Sequence, residues 1–180
     1  MDLSKAIALV TGGSSGIGFA TAHKLIAAGA KVAICGRDER KLARAADDLG
    51  ALAIHADVAV ERDVVAMVRR VVEELGDYNV LVNNAGFGSF APLLETSLEE
   101  MQRLYATNVF GAMLVARESA RHFVSKQFGN IVNVASTAGQ RGFAGGTAYA
   151  SSKFALHGLT ECWRAELRKS NVRVMQIIPS

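Results

Sequence analysis

Six short apolar runs punctuate the chain: AIALV (6–10), KVAIC (31–35), ALAIHA (51–56), NVLVN (79–83), NIVNVA (130–135) and VRVMQII (172–178). Their apolar residues are continuous rather than alternating with polar ones, the pattern of strands covered on both faces of a parallel sheet. Helix-length segments separate them. Gly16 to Ala28 stops at Gly29, and Asp38 can cap a helix that ends at Gly50. Glu61 to Leu75 ends at Gly76, and Ser97 with Glu100 forms a capping box for a long helix reaching about Lys126. A last helix spans roughly Thr147 to Lys169. Alternating strands and helices imply right-handed βαβ crossovers and a doubly wound α/β domain. In such sheets ligands bind beyond the carboxyl ends of the strands, so chemistry is sought in the loops that follow them.

The 180 residues suit one domain, residues 1–180, without an internal linker, repeat or low-complexity segment. A formal net charge of +3 without any long Lys/Arg run fits phosphate ligands and argues against nucleic acid as partner. No apolar stretch reaches membrane-spanning length, and MDLSK is too short and too acidic to open a signal peptide, so the expected location is cytoplasmic. Cys35 and Cys162 lie far apart in sequence and read as reduced thiols. The four histidines fit no metal spacing and no triad, and no metal is expected.

Directly after the first strand comes TGGSSGIG, Thr11 to Gly18. Glycines allow a tight turn and close approach of backbone to a diphosphate, and the helix that follows aims free N–H groups and its positive dipole end at the anion. The spacing Gly12-x-x-x-Gly16-x-Gly18 is neither GxGxxG nor a Walker A loop, but its place between strand and helix points to a nucleotide.

Tyr149 and Lys153 stand four residues apart in the last helix and so project to one side of it. A free phenol, with pKa near 10, is a poor acid–base catalyst at neutral pH, and lowering it by three units takes about 4 kcal/mol. One ammonium about 4 Å away at an effective dielectric near 20 supplies roughly that. The pair therefore suits proton donation to a substrate oxygen. Ser136, at the end of the fifth strand, can bind the same oxygen and stabilise developing charge. The plain alternative is a surface helix with an exposed Tyr and a solvated Lys.

Taken in order, TGGSSGIG, Asn83-Asn84-Ala85-Gly86, Asn108, Ser136 and Tyr149-x-x-x-Lys153 make the sequence resemble the short-chain dehydrogenase/reductase family from residue 1 to 180. The resemblance implies a Rossmann-like sheet of order 3-2-1-4-5-6 and hydride exchange between a nicotinamide cofactor and a ketone or alcohol, with Ser136, Tyr149, Lys153 and Asn108 as the catalytic set. Asn108 would position a water linking Lys153 to solvent. Gly12, Ser14, Ser15, Gly16, Ile17 and Gly18 would hold the diphosphate. Asp57 and Val58 would meet the adenine, Asn84, Ala85 and Gly86 would pass the ribose, and Tyr149, Lys153 and Pro179 would complete the cofactor site. For Asn84, satisfying backbone groups between strands is an equal alternative.

After the second strand the residue where NAD-preferring folds carry an acid is Gly36, followed by Arg37. An arginine fork suits a 2′-phosphate, so NADP is expected, with NAD and a merely solvated Arg37 as the alternatives. Substrates of the 3-oxoacyl-carrier-protein reductase kind or general carbonyls are both implied. Leu98, Met101, Leu104, Val109 and Met113 recur at helical spacing and, by analogy with the family, suggest a homodimer or homotetramer interface. The sequence ends at Pro179-Ser180 where the family continues into a further strand and a substrate lid, which leaves a non-catalytic NADP(H)-binding module or inactive truncated form as the alternative to a carbonyl reductase.

Overall fold

The computed structural model describes residues 2–180. The strands are β1 (Ile7–Thr11), β2 (Lys31–Gly36), β3 (Leu52–His55), β4 (Val80–Asn83), β5 (Gly129–Val134) and β6 (Val172–Ile177). All pair in parallel, in the order β3-β2-β1-β4-β5-β6. The helices are α1 (Gly16–Ala27), α2 (Glu39–Leu49), α3 (Glu61–Leu75), α4 (Leu98–Tyr105), α5 (Ala112–Lys126) and α6 (Thr147–Leu167). The expected sheet order and alternation are both present. Gly50 and Gly76 close α2 and α3 in the left-handed conformation, and the Asp38 carboxylate caps α2 by accepting from Lys41 N at 3.0 Å. Ser97 accepts from Glu100 N at 3.1 Å, but Glu100 turns its carboxylate to Arg103, so only half of the expected capping box forms.

Two apolar clusters sandwich the sheet, as continuous apolar strands require. One joins Leu9, Ile54, Leu81 and Ile131 to Val64 and Met67 of α3 and Val115 and Phe123 of α5. The other joins Val10, Ile34 and Val82 to Ala22 of α1 and Leu42 of α2. Because α1 and α2 cover one face of the sheet and α3 and α5 the other, the strand order reverses between β1 and β4. That gap opens a crevice at the carboxyl ends of the strands. β6 is the last strand of the sheet; Met175 and Ile177 pair with Val132 and Val134 and are exposed.

The long helix expected from Ser97 to Lys126 is interrupted. Between α4 and α5 the backbone widens into a π-helical segment, Ala106–Gly111, centred near Asn108. Such bulges accommodate an extra residue within a helix and turn its side chain to new partners. The apolar stripe expected to form a subunit interface is also divided: Leu104 and Val109 are buried inside the chain and Leu98 is exposed. Met113 instead lines a groove of about 480 Å³ between α5 and α6, with Ala116, Ala120, Val124, Trp163 and Leu167. Among the described residues no helix is long and apolar enough to cross a membrane.

Candidate active site

The crevice is a cleft of about 700 Å³, floored by the glycine loop and the ends of β4 and β5. Gly12, Ser14, Ser15, Gly16 and Ile17 form one wall. Gly12 adopts φ +64°, and a Cβ at Gly18 would stand 2.3 Å from Gly12 O and 2.5 Å from Asn84 Nδ2, so the turn closes only around glycine. Ser15 precedes α1 without a side-chain cap, which leaves the first N–H groups of that helix for a ligand. Gly18 itself lies beneath the wall rather than on it.

Asn84 makes backbone bonds between strands. Its Nδ2 donates to Thr11 O at 2.9 Å and Gly12 O at 3.3 Å, which clamps the glycine loop to the end of β4 while the residue still borders the cleft. Thr11 completes the clamp: its Oγ1 accepts from both Asn84 N and Ala85 N at 2.9 Å. Sequence reading passed over Thr11, although its place between strand and glycine loop marked it.

At the far end, Gly36, Arg37, Asp57 and Val58 border the cleft together with Lys41. A Cβ at Gly36 would lie 3.3 Å from Ser14 Oγ, so any larger residue there crowds the glycine loop. Arg37 reaches to 3.9 Å from Asp57 Oδ2 with more than half its side chain exposed, a contact too solvated to tie it down. Lys41, with its ammonium 3.7 Å from Asp38 Oδ2, adds a second cation that sequence reading did not single out.

Ser136, Tyr149 and Lys153 border the other end, near Ala85, Gly86 and Pro179. Ser136 opens a short 3₁₀ turn, where its Oγ accepts from Ala138 N at 3.1 Å, and Pro179 O accepts from Thr137 N at 3.1 Å, anchoring that turn to the segment after β6. Lys153 is 6% exposed, its Nζ lies 5.8 Å from the centroid of the Tyr149 ring, and it donates to Val134 O at 2.9 Å. Burial pushes its pKa down from 10.5 to about 8, because the low-dielectric surroundings disfavour the charged amine. The ammonium taken from sequence alone as a fixed charge is therefore one whose surroundings disfavour that charge.

Asn108 is buried behind this end, not on the cleft wall. It holds the loop after β4 in both directions: Phe87 N donates to its Oδ1 at 3.0 Å, and its Nδ2 donates to Phe87 O at 2.9 Å. The same Nδ2 reaches Ser152 Oγ at 3.2 Å, and that hydroxyl donates to Tyr149 O at 2.7 Å. Loop, π-helical segment and the turn of α6 that carries Tyr149 are thus joined by one hydrogen-bonded chain. Ser152 was missed because an interior helical serine has no signature of its own.

The short chain dehydrogenase family model matches residues 6–180. This chain belongs to that family. The family comprises nicotinamide-dependent oxidoreductases that act on CH–OH groups. Among its relatives are the uncharacterized oxidoreductase YxnA of Bacillus subtilis (strain 168), 35% identical over 96% of this chain and 50% of that protein, and the 3-oxoacyl-[acyl-carrier-protein] reductase of Bos taurus, 37% identical over 96% of this chain and 74% of that protein. The 3-ketoacyl-(acyl-carrier-protein) reductase of Brucella melitensis, solved with NADH, superposes with a TM-score of 0.95 at 33% identity, over 98% of this chain and 75% of that one. This chain thus spans half to three quarters of the length of these relatives.

Proposed function

We propose that the chain is the cofactor-binding and catalytic part of an NADP(H)-dependent oxidoreductase that interconverts a ketone or aldehyde with an alcohol. The convergence of Tyr149, Lys153 and Ser136 with the glycine loop on one cleft carries the reading. The glycine turn with its uncapped helix start fits a dinucleotide diphosphate, and a Cβ at Gly16 would meet nothing within 4 Å. Gly12, Ser14, Ser15 and Ile17 would hold the diphosphate, Asp57 and Val58 the adenine, and Lys153 the ribose beside Ala85 and Gly86. When bound, the cofactor supplies the hydride. Ser136 would donate a hydrogen bond to the substrate carbonyl oxygen, and Tyr149 would hand that oxygen its proton. The Lys153 cation favours the negative charge left on the phenol oxygen. Asn108 would act by holding the Phe87 loop and, through Ser152, the Tyr149 turn.

Preference for NADP over NAD rests on Gly36, Arg37 and Lys41: a glycine where an acid would bond the ribose hydroxyls, with two cations beyond it, suits a 2′-phosphate, while the Asp38 carboxylate caps α2. The Brucella reductase was solved with NADH, so the nucleotide is decided by titration rather than by kinship. Arg37→Asp should reverse the ratio of NADPH to NADH dissociation constants; an unchanged ratio removes the NADP assignment. The α5–α6 groove, lined in part by Trp163, would be covered in a homodimer or homotetramer.

The enzymatic reading is tested by following NADPH absorbance with simple ketones in the native chain and in Tyr149→Phe. Turnover should fall about a hundredfold to ten-thousandfold in the variant, the range expected of one positioned acid. Equal rates would leave a nucleotide-binding module without catalysis.

A further inference from the structure

The loops that follow β4 and β5 meet beside Tyr149. A parallel bridge pairs Ala91 with Gly146, and Ala91 N donates to Gly145 O at 2.9 Å. Next to the bridge the Phe90 ring packs edge-on to the Tyr149 ring, with centroids 5.4 Å apart and planes at 66°. Phe143 continues the row, 6.0 Å from Phe90. Both rings lie over glycines: a Cβ at Gly88 would stand 2.9 Å from Phe90 Cζ, and one at Gly146 would stand 2.8 Å from Phe143 Cζ. Backbone shape and ring contacts thus hold two phenyl groups in place, yet Phe90 remains 62% and Phe143 49% exposed.

Ordered apolar rings left in water beside a proton donor are favourable only for something apolar that docks there. Two cations lie near the rings: Arg103 sits 4.6 Å over the Phe87 ring and pairs with Glu100 at 2.8 Å, and Arg141, two residues before Phe143, is exposed to solvent. We infer that Phe90 and Phe143 form the specificity wall of the site, selecting ketones and secondary alcohols whose reacting carbon bears an aryl or alkyl group over polyhydroxylated ones. The inference rests on the oxidoreductase reading above. With the substrate oxygen at Tyr149 and Ser136, a substituent on the reacting carbon runs onto the two rings, where a phenyl group gains edge-to-face contacts. Hydroxyl groups placed there would leave water without a partner and bind less well.

The test uses the NADPH-loaded chain and the exposed-position variants Phe90→Ser and Phe143→Ser, with acetophenone, dihydroxyacetone and acetoacetate as probes. Two quantities are read: kcat/KM for each probe, and equilibrium binding of acetophenone by ligand-detected NMR, which needs no turnover. The native chain should favour acetophenone about a hundredfold over dihydroxyacetone, and each Ser variant should lower that preference about tenfold. NADPH affinity should not change in either variant. A preference for dihydroxyacetone or acetoacetate, or variants with the native ratio, overturns the wall. If acetophenone binds, weakens on Phe90→Ser and is never reduced, the wall stands and the catalytic reading fails. If acetophenone does not bind at all, the wall fails whatever the turnover.

Discussion

Replacing Lys153 by Met keeps most of the aliphatic stem and removes the amine, which makes the energetic cost of this site measurable. Burial lowers the amine's pKa from 10.5 to about 8. Between those values the unfolded chain carries a proton at Lys153 that the native chain has lost, so native stability rises with pH across this window. The penalty is complete well below pH 8 and is on the order of 3 kcal/mol, since each pKa step is worth about 1.4 kcal/mol. At pH 7 the variant escapes that penalty but leaves Val134 O without the donor that stood 2.9 Å away, a loss of about 1–3 kcal/mol. The two nearly offset, so a comparison at one pH decides nothing. The pH slope decides. Urea unfolding at pH 7 and pH 10 should show the native chain gaining roughly 2–3 kcal/mol relative to Lys153→Met. Other titrations, such as that of Tyr78, whose buried phenol is pushed far up, occur in both proteins and cancel in the difference. Curves that stay parallel from pH 7 to 10 would refute the buried-amine account. The variant should also lack carbonyl reduction while still folding, the signature of a residue kept for chemistry at a cost in stability.

Three further outcomes are expected. Gly18→Ala brings a methyl to within 2.3 Å of Gly12 O, so thermal unfolding should register a loss of at least 1–3 kcal/mol, and calorimetric titration should find NADPH affinity down by tenfold or more. Ser152→Ala severs the link from Asn108 to Tyr149 O; kcat should fall several-fold while the NADPH dissociation constant holds, and Ser152→Thr should restore part of kcat. Gly129→Ala sets a methyl 2.3 Å from Phe123 Cγ in the core, and chemical denaturation should show a loss of about 1–3 kcal/mol with kcat per folded molecule unchanged.

Local pattern was enough for the frame. Continuous runs such as AIALV and NVLVN can sit only where both faces are covered, and Asp38, Gly50 and Gly76 terminate helices through bonds that span a few residues. The glycine spacing and the four-residue step from Tyr149 to Lys153 are likewise properties of adjacent turns, so the glycine loop and that pair could be named in advance. Other features depend on residues far apart in sequence. Thr11 clamps Asn84 and Ala85 across more than seventy positions, and the π-helical segment turns Asn108 toward Phe87 and Ser152. The stripe from Leu98 to Met113 looked like one surface because helical periodicity reports a face but not what covers it. Packing sent Leu104 and Val109 inward and left Met113 on the groove.

The sequence by itself determined which segments become strands and helices, where the glycine turn stands and that Tyr149 and Lys153 share one side of a helix, because those follow from backbone sterics and short-range periodicity. Only the tertiary structure decided how deeply Lys153 is buried and therefore how readily it gives up its proton. The same holds for the arrangement of Phe90 and Phe143 beside Tyr149. Desolvation and ring packing are set by atoms brought in from distant loops, and no local pattern encodes them.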